Sequence, residues 1–300
     1  MRILVTGAGG FIGGYLSARL RAAGHDVAGL DTVATDADGF VGSLTDPAVL
    51  DSVFARPFDA VYHLAGITGG AAERDFDLGL DVNLYGTLNL LDRLRRQAVR
   101  ARFVYASTIA VYDMANSSHI DDTSPLRPDL SYGAQKAACE ILIRDYARRG
   151  FISAISLRLP GVVARPGASA ALLSSFMSEV FWAMAAGRPC VMPVASEACG
   201  WWMSLARCVD NLVHALAVTD ANSHDHGGFS LPVLQLTMAD IVAALDAHFG
   251  VTGLVTYAPD PRFRVIMGPP VTLDAGPARA LGFRDDDNVE GLIGRVLHPR

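Results

Sequence analysis

The sequence lacks several features that would assign it quickly to a class of protein. It has four cysteines in 300 residues, and Cys139, Cys190, Cys199 and Cys208 show no CxxC or CxxH spacing. Isolated cysteines indicate neither a zinc site nor a disulfide framework, and they favour a reducing cytoplasm. The HDH sequence at 224–226 has no further ligand nearby. We therefore expect a solvated loop there and no metal site.

Long apolar runs and clustered positive charge are missing as well. No apolar stretch approaches the roughly 20 residues that a membrane-spanning helix requires. The 25 basic and 31 acidic residues give a net charge of −6, and no basic stripe follows the chain as nucleic-acid phosphates would require. We expect neither a membrane nor a nucleic-acid partner.

The first 20 residues, MRILVTGAGGFIGGYLSARL, share a basic residue and an apolar run with export signals. A signal peptide needs an unbroken apolar core of roughly 7–15 residues. Gly7, Gly9, Gly10 and Gly13 interrupt the run here. The segment instead predicts a short strand, a glycine turn and a helix that starts at Phe11.

Strand-like apolar runs alternate with amphipathic stretches through the first half of the chain. We predict strands near 2–6, 26–30, 39–42, 59–65, 102–107 and 153–159, and helices near 11–23, 46–55, 75–98 and 130–149. This order is typical of an α/β protein with a Rossmann-type, doubly wound parallel sheet. At 51% hydrophobic residues, the chain can bury a substantial core.

The pattern loosens after Arg158. We predict a helix near 170–186, short strands near 190–194 and 228–231, and helices near 206–218 and 237–248. No linker separates the two parts. We expect residues 1–165 to form the Rossmann domain, with later segments near 206–231 joining its core. Residues 166–300 would form a smaller, interwoven mixed α/β lid that binds substrate.

The glycines at the start of the chain have the spacing of a phosphate-binding turn. Gly7, Gly10 and Gly13 let backbone N–H groups approach a diphosphate, and the following helix directs the positive end of its dipole toward that anion. Asp31 follows Gly13 by 18 residues, at the end of the second strand. Its carboxylate can accept from both adenosine ribose hydroxyls and would repel a 2′-phosphate. This favours NAD over NADP, with a plain turn residue as the alternative for Asp31.

Further residues are predicted to contact the same cofactor. Asp46 follows the third strand near the expected adenine, although capping the next helix explains it equally well. Ala65 and Gly66 are small enough to let the cofactor pass close to the backbone, and we expect the neighbouring His63 to be structural. The predicted contacts also include Phe11, Ile12, Leu44, Asn83, Tyr132, Lys136 and Pro160.

Tyr132 and Lys136, in SYGAQK, lie four residues apart on a predicted helix and therefore share a face. An ammonium beside a phenol lowers the phenol pKa from about 10, so that Tyr132 can take a proton from a substrate alcohol. YxxxK alone is a common accident. Together with the glycine loop and the strand end YASTIAVY, it is specific.

These motifs together resemble the extended short-chain dehydrogenase/reductase family, which includes sugar-nucleotide epimerases and dehydratases. The resemblance covers nearly the whole chain, from TGAGGFIG through HLAG, DVNLYGT, YASTIAVY and SYGAQKAACE to LRLPGVVARPG. It implies that Tyr132 is the acid/base catalyst. It also implies that Lys136 holds the nicotinamide ribose and lowers the pKa of Tyr132, and that Asn83 helps to order the site.

The resemblance further implies a residue that orients the substrate oxygen, four positions before the tyrosine of the VY pair. Counting back from Tyr112 gives Thr108. Ser107 stays a candidate for substrate binding, because adjacent residues of a strand face opposite sides of the sheet.

Two departures from the family pattern narrow the chemistry. Thr108 is followed by Ile109 and Ala110, where dehydratases carry an Asp-Glu pair. Pro160 lies in the region where many nucleotide-sugar enzymes have an asparagine. What remains resembles the D-erythronate dehydrogenase-like subgroup, through SYGAQKAACEILIRDYARRGF, SLRLPGVVARPG and ARCVDNLVHAL. This implies NAD-dependent oxidation of the 2-hydroxyl of a small, four-carbon sugar acid to a 2-oxo acid.

An acid substrate needs a carboxylate clamp, for which the arginine fork is well suited. Arg165 and Arg207 are candidates, and Arg165 comes first because it follows the sixth strand, on the ligand-binding side of a parallel sheet. Trp202, with Trp201 and Ser204, is a candidate pocket wall, with plain packing as the alternative.

Two other functions stay open on the sequence. A sugar-nucleotide 4-epimerase would use the same tyrosine, threonine and lysine, and a noncatalytic NAD-binding sensor or scaffold would retain only the fold. The resemblance also implies a homodimer, in which the helices near 75–98 and 130–149 pair with their copies.

Overall fold

The computed structural model describes residues 1–35, 39–167, 173–218, 228–264 and 266–298. Its strands are β1 (Arg2–Thr6), β2 (Asp26–Asp31), β3 (Phe40–Val41), β4 (Ala60–His63), β5 (Arg102–Thr108), β6 (His119–Ile120), β7 (Ser153–Leu159), β8 (Gly161–Val163), β9 (Cys190–Met192), β10 (Cys199–Ser204), β11 (Phe229–Ser230), β12 (Leu234–Thr237), β13 (Val255–Tyr257) and β14 (Thr272–Leu273). Its helices are α1 (Phe11–Ala22), α2 (Pro47–Val53), α3 (Gly69–Arg74), α4 (Phe76–Gly79), α5 (Gly86–Arg96), α6 (Ser131–Arg148), α7 (Ser175–Ala185), α8 (Leu205–His214), α9 (Met238–Phe249), α10 (Gly276–Ala280) and α11 (Val289–Leu297).

Seven of these strands form one sheet in the order β11–β7–β5–β4–β1–β2–β3. The pairs β1–β2, β1–β4, β2–β3 and β4–β5 run parallel, and Ile3 lies opposite both Val27 and Ala60. Strand β1 is therefore flanked by β2 on one side and β4 on the other, so that the order of strands reverses beside it. In such doubly wound sheets this is the point where ligands bind. The predicted α/β class is confirmed.

The six strands predicted in the first half of the chain all occur, and all of them except the edge strand β3 are largely buried. Every residue of β4 and β5 is buried, as expected for inner strands of a parallel sheet with helices on both sides. The core around them contains Val61, Phe103 and Leu90, none of which is exposed to solvent. Burial of each such side chain stabilises the fold by about 1.5–3 kcal/mol.

The predicted helix near 75–98 is interrupted. Helix α4 passes into a π-helical turn, Leu80–Tyr85, before α5 begins. The extra residue of a π turn rotates the side chains that follow it, and such turns are frequent at functional sites. Hydrophobic periodicity does not reveal the π turn, since the helical pattern of apolar and polar residues continues before and after it. The sequence did not predict helix α3. It packs close to α4, as the distance of 3.0 Å between a Cβ placed on Gly79 and Ala72 Cβ indicates.

The chain divides into two compact units. Unit 1 consists of residues 1–111, 130–158 and 209–229, and unit 2 of residues 112–129, 159–208 and 230–300. The substrate-binding role predicted for residues 166–300, and their description as a lid, stay predictions.

The described residues of unit 2 form three small sheets. In the first, β10 pairs antiparallel with β12 and parallel with β8, while β13 pairs with β9 and β14 with β6. Helices α7, α8 and α9 and strands β9 and β11 match the predicted elements, apart from the part of the first helix that falls at 170–172, outside the described residues. The remaining strands of unit 2, which the sequence did not predict, have two to six residues. Among the described residues, no helix is long and apolar enough to cross a membrane.

Candidate active site

The loop after β1 depends on glycine. Gly7 has a φ of +72°, and a Cβ there would lie 2.7 Å from the Ala65 backbone nitrogen. A Cβ on Gly13 would overlap the Gly7 carbonyl oxygen, and the Gly10 N–H donates to that same oxygen at 3.0 Å. These contacts require the bare backbone, so the predicted glycines lie together in one tight turn.

The start of helix α1 suits an anion. Phe11 and Ile12 are its first residues, and the capping residue Gly10 has no side chain to accept from the N–H groups there. All residues of this helix are described. Its first turn contains no acidic residue, and its last turn contains Arg19 and Arg21. The positive end of the helix dipole therefore meets no carboxylate of its own first turn, and the loop fits a diphosphate.

Asp31 ends β2 beside this loop. Its Oδ2 accepts from the Gly9 backbone N–H at 2.9 Å, and its Oδ1 from that of Val33 at 3.3 Å. Oδ1 also accepts from the Thr32 hydroxyl at 3.4 Å, whereas Oδ2 retains acceptor capacity, because each carboxylate oxygen offers about two lone-pair positions. The contact of Asp31 with the adenosine ribose stays a prediction.

The residues predicted near the adenine have structural roles of their own. Asp46 caps α2 by accepting from the Ala48 N–H at 2.8 Å, as the alternative for this residue proposed. Leu44 is 5% exposed and belongs to the core of unit 1. Their contacts to the cofactor stay predictions.

Lys136 lies inside unit 1, with 2% of its surface exposed. Its Nζ donates to the Ala106 carbonyl oxygen at 2.9 Å and lies 4.6 Å from the centroid of the Tyr105 ring. The centroid of the Tyr132 ring is 5.8 Å from the same atom. Burial lowers the pKa of Lys136 to about 8, because removal from water disfavours the ammonium.

The pKa of the Tyr132 phenol differs from our expectation. Burial raises the pKa of Tyr132 to about 12, and a hydrogen bond with the Thr108 hydroxyl acts in the opposite direction. We expected Lys136 to lower this pKa. In the protein by itself the loss of hydration of the phenolate outweighs that effect, and the ammonium is directed at the Ala106 carbonyl.

Ser107 and Thr108 face different partners. The Ser107 hydroxyl donates to Glu140 Oε1 in the interior. The Thr108 hydroxyl accepts from the Ala110 N–H at 3.1 Å, and it lies close enough to the Tyr132 phenol to lower the pKa of that group. Of the two residues that the sequence left open, Thr108 is therefore the one beside the phenol.

Asn83 lies in the π turn and holds the segment after β4. Its Oδ1 accepts from the Ile67 N–H at 2.8 Å, and its Nδ2 donates to the Ile67 carbonyl oxygen at 2.9 Å. A Cβ on Gly66 would lie 3.0 Å from Asn83 Oδ1 and 3.5 Å from Lys136 Nζ. The structure thus brings Gly66, Asn83 and Lys136 together.

A buried ion pair behind Ser107 was missed in the sequence. Arg158 Nη2 donates to Glu140 Oε2 at 2.7 Å, and its Nε lies 3.1 and 3.2 Å from the two carboxylate oxygens. Both side chains are at most 1% exposed. Two signals pointed to the pair: Glu140 follows Lys136 by four residues on the same helix, and Arg158 interrupts an apolar strand.

Pro160 and Arg165 belong to unit 2. Pro160 is buried directly after β7. The Arg165 backbone N–H donates to Ser178 Oγ and its carbonyl accepts from Trp182 Nε1, both at 2.9 Å. The Arg165 side chain is half-buried, and burial lowers its pKa. Helix α7 therefore fixes the backbone of the candidate carboxylate clamp.

The other candidates of unit 2 lie in its interior. Trp202 is fully buried in the core, with its Nε1 donating to the Leu236 carbonyl at 3.0 Å, as the packing alternative expects. Ser204 donates through both its N–H and its hydroxyl to Asp286, at 2.7 and 2.6 Å. Arg207 pairs with Asp287 at 3.5 Å. The substrate contact of Trp202 stays a prediction.

The described residues contain no group of three or more His, Cys, Asp or Glu side chains placed to hold a metal ion. The HDH sequence at 224–226 lies outside those residues.

Comparison with known proteins agrees with this geometry. The pattern of the NAD dependent epimerase/dehydratase family matches residues 3–224. The D-erythronate dehydrogenase of Cupriavidus necator is 36% identical over 98% of this chain and 97% of its own length. That of Haemophilus influenzae is 31% identical over 99% of both chains. The crystal structure of a nucleoside-diphosphate-sugar epimerase from Agrobacterium tumefaciens superposes with a TM-score of 0.90 at 29% identity, over 99% of this chain and 94% of that one.

Proposed function

Because the chain belongs to the NAD dependent epimerase/dehydratase family, we propose that it oxidises the 2-hydroxyl of a small sugar acid resembling D-erythronate to a 2-oxo acid. The family prediction made from the motifs is confirmed, and the chain is an oxidoreductase of the extended short-chain dehydrogenase/reductase type that uses a nicotinamide cofactor. The observation that carries the proposed substrate is the similarity to two D-erythronate dehydrogenases over nearly the whole chain.

The residues of unit 1 suit NAD in particular. The glycine turn and the start of α1 would hold the diphosphate, and Asp31 the adenosine ribose. Gly66, Asn83 and Lys136 lie together where the nicotinamide ribose is expected. When bound, NAD supplies the hydride acceptor.

The preference for NAD is testable at Asp31. Asp31→Asn keeps the shape of the side chain and removes the charge that repels a 2′-phosphate, so we expect the ratio of kcat/KM for NAD to that for NADP to fall about tenfold. Asp26→Asn, at the other end of β2, is the matched control, because it removes the same charge far from the loop. An unchanged ratio in Asp31→Asn would contradict the assignment of this carboxylate to the ribose.

Tyr132 and Thr108 carry the proton chemistry of the proposal. The hydroxyl of the substrate lies between the two side chains, Thr108 orients it, and Tyr132 accepts its proton as the C2–H bond breaks. Only the phenolate of Tyr132 can accept this proton, and Lys136, an ammonium at neutral pH with a pKa of about 8, favours that form. Since the free protein holds Tyr132 as a phenol with a pKa of about 12, we expect the oxidation rate to rise with pH above neutrality.

The carboxylate of the substrate requires a cation. Arg165 is our first candidate, because its backbone is fixed by two hydrogen bonds to α7 and its guanidinium is half-buried. Partial burial strengthens a charge-assisted pair with a carboxylate. Arg207 is the weaker candidate, since Asp287 lies 3.5 Å from it.

The deciding experiment is an assay for NADH absorbance with purified protein, NAD and a panel of four- to six-carbon sugar acids beside UDP-sugars. We expect NADH from a four-carbon 2-hydroxy acid, and its loss in Tyr132→Phe. Tyr62→Phe is the matched control, since the Tyr62 hydroxyl donates to the Leu212 carbonyl at 3.0 Å and has no role in the proposed reaction. NADH formation that survives in Tyr132→Phe would contradict the role of this residue.

A sugar-nucleotide 4-epimerase is the second candidate, supported by the similarity to the Agrobacterium tumefaciens structure. It would interconvert a UDP-sugar without net formation of NADH, so the same panel separates the two activities. Pro160, in place of the asparagine found in many nucleotide-sugar enzymes, argues for the sugar acid. A noncatalytic sensor or scaffold would bind NAD and show neither reaction.

We also propose a homodimer, formed through the helices of unit 1 that run from Phe76 to Arg96 and along α6. Their exposed apolar side chains include Phe76, Tyr85 and Ile141, which are 56%, 48% and 58% exposed. A second copy would remove these side chains from water. Light scattering should give twice the chain mass of 31.8 kDa, and Ile141→Glu should weaken the dimer. A wild-type monomer at micromolar concentration would contradict this.

A further inference from the structure

A buried chain of hydrogen bonds runs beneath the glycine loop of unit 1. His63, the last residue of β4, is fully buried. Its Nδ1 lies 2.7 Å from Thr6 Oγ1, at the end of β1, and its Nε2 lies 2.8 Å from Thr87 Oγ1, in the first turn of α5. One imidazole therefore connects three segments that are far apart in the sequence.

The protons of this chain can be assigned by counting donors. The Thr87 hydroxyl has one proton and donates it to the Asn83 carbonyl oxygen at 2.6 Å, so toward His63 it accepts. His63 Nε2 must then carry a proton. Burial, and next the charge of Lys136, hold the pKa of His63 well below its usual range, so the ring is neutral. Its Nδ1 is therefore the acceptor, and the Thr6 hydroxyl donates to it.

Each end of this series of hydrogen bonds contacts residues of the proposed cofactor site. Thr6 immediately precedes Gly7, and its Oγ1 accepts from the Ala65 N–H at 3.3 Å. At the other end, Thr87 fixes the carbonyl of Asn83, whose side-chain amide holds both backbone groups of Ile67. The glycine turn, the end of β4 and the π turn are thus joined through His63.

We propose that His63 is a positioning residue for NAD, whose neutral, Nε2-protonated imidazole holds the segments at Gly7, Ala65 and Asn83 in the arrangement that binds the cofactor. The ligand rests on the proposed function. The hydrogen-bond chain has a single direction, from Thr6 to His63 to Thr87 to the Asn83 carbonyl, and every polar atom in it has a partner. A buried network satisfied in this way specifies one arrangement, because any shift leaves a donor or acceptor unpaired.

A histidine that merely fills the core predicts a different result. Loss of these hydrogen bonds would then lower the free energy of unfolding but leave the affinity for NAD unchanged, because the folded protein would keep the same glycine loop. The experiment must therefore read cofactor binding and stability separately.

The first measurement is the tautomer. In protein with ¹⁵N-labelled histidine, long-range ¹H–¹⁵N spectra distinguish a protonated from an unprotonated ring nitrogen, and the His63→Gln spectrum identifies the resonances of this residue among the eight histidines. We expect Nε2 protonated and Nδ1 unprotonated from pH 6 to 8. A protonated Nδ1, or a charged ring in that range, would overturn the proposal.

The second measurement is NAD affinity by calorimetry without substrate. Thr87→Val keeps the shape but removes the hydroxyl, and with it the hydrogen bonds to the Asn83 carbonyl and from His63 Nε2. We expect it to raise the Kd for NAD about tenfold. Thr87→Ser restores the hydroxyl and should restore the affinity. Ser156→Ala is the matched control, since the Ser156 hydroxyl is buried in β7 and makes no hydrogen bond within the described part of the chain.

The outcomes separate this proposal from the function itself. Weaker NAD binding in Thr87→Val, with rescue in Thr87→Ser, supports the positioning role even if no sugar acid is oxidised, which would count against the proposed substrate alone. An unchanged Kd in Thr87→Val beside a lower melting temperature overturns the positioning role and leaves the proposed reaction standing.

Discussion

The buried polar groups around the candidate site of unit 1 differ in chemistry from the apolar cluster of unit 2. The buried groups of unit 1 include an ion pair, an ammonium and a neutral imidazole, each held by hydrogen bonds to strand ends. The described apolar cluster of unit 2 contains aromatic and aliphatic side chains together with Met177, Met184, Met192, Met238 and Met267. Polar networks specify one geometry, whereas thioethers adapt to their neighbours. We therefore expect the buried polar groups of unit 1 to tolerate substitution less than the methionine-rich cluster of unit 2 does.

The largest test of this contrast is the buried ion pair of unit 1. Glu140→Gln leaves the Arg158 guanidinium buried without its counter-charge, so we expect the free energy of unfolding in urea to fall by about 4 kcal/mol. Asp286→Asn is the matched change in unit 2. Burial raises the pKa of Asp286, so its ionised form is already disfavoured, and we expect a smaller loss. Equal losses would remove the contrast.

The next largest expected effect is the contribution of Lys136 to the pH dependence of the free energy of unfolding. Its pKa falls from 10.5 to about 8 on folding, so between these values the unfolded chain binds more protons than the native protein. Stability from this group therefore rises with pH across that window, by about 3 kcal/mol at most. The rise in unfolding free energy from pH 8 to 10.5 should shrink in Lys136→Met. Parallel pH profiles of the wild type and the variant would show that burial does not perturb this lysine.

A threonine in each unit allows the two units to be compared by their effect on kcat. Thr108→Val removes the hydroxyl beside Tyr132, and we expect kcat to fall about 100-fold while Thr108→Ser retains most of it. Thr237→Val is the matched change in unit 2, where the hydroxyl caps α9. It should cost about 1 kcal/mol of stability and leave kcat unchanged. Similar kcat values for the two valine variants would contradict the role of Thr108.

The smallest effect belongs to the core of unit 2. Met184→Leu preserves volume, so we expect a loss below about 1.5 kcal/mol in the free energy of unfolding. A loss above about 3 kcal/mol would mean that this core is as strictly specified as unit 1.

The sequence predicted those parts of the site that depend on neighbours along the chain. Gly7, Gly10 and Gly13 are spaced for one turn, and the four-residue interval between Tyr132 and Lys136 places them on one helical face. Both patterns follow from local backbone geometry, which the chain carries wherever it folds. The alternation of strands and helices is local in the same sense, so the α/β class was predictable.

Contacts between distant segments were decided by the tertiary structure. Ser107 and Glu140 are 33 residues apart, and Thr6 and His63 are 57 apart. Which of Ser107 and Thr108 faces Tyr132 depends on how β5 lies against α6, and the direction of the Tyr132 pKa shift depends on how much water the fold removes. Periodicity carries no information on either. The sequence by itself determined the fold class, the glycine turn and the side chains that we propose to react. Only the tertiary structure decided their protonation and their partners, because burial and hydrogen bonding are properties of the assembled interior.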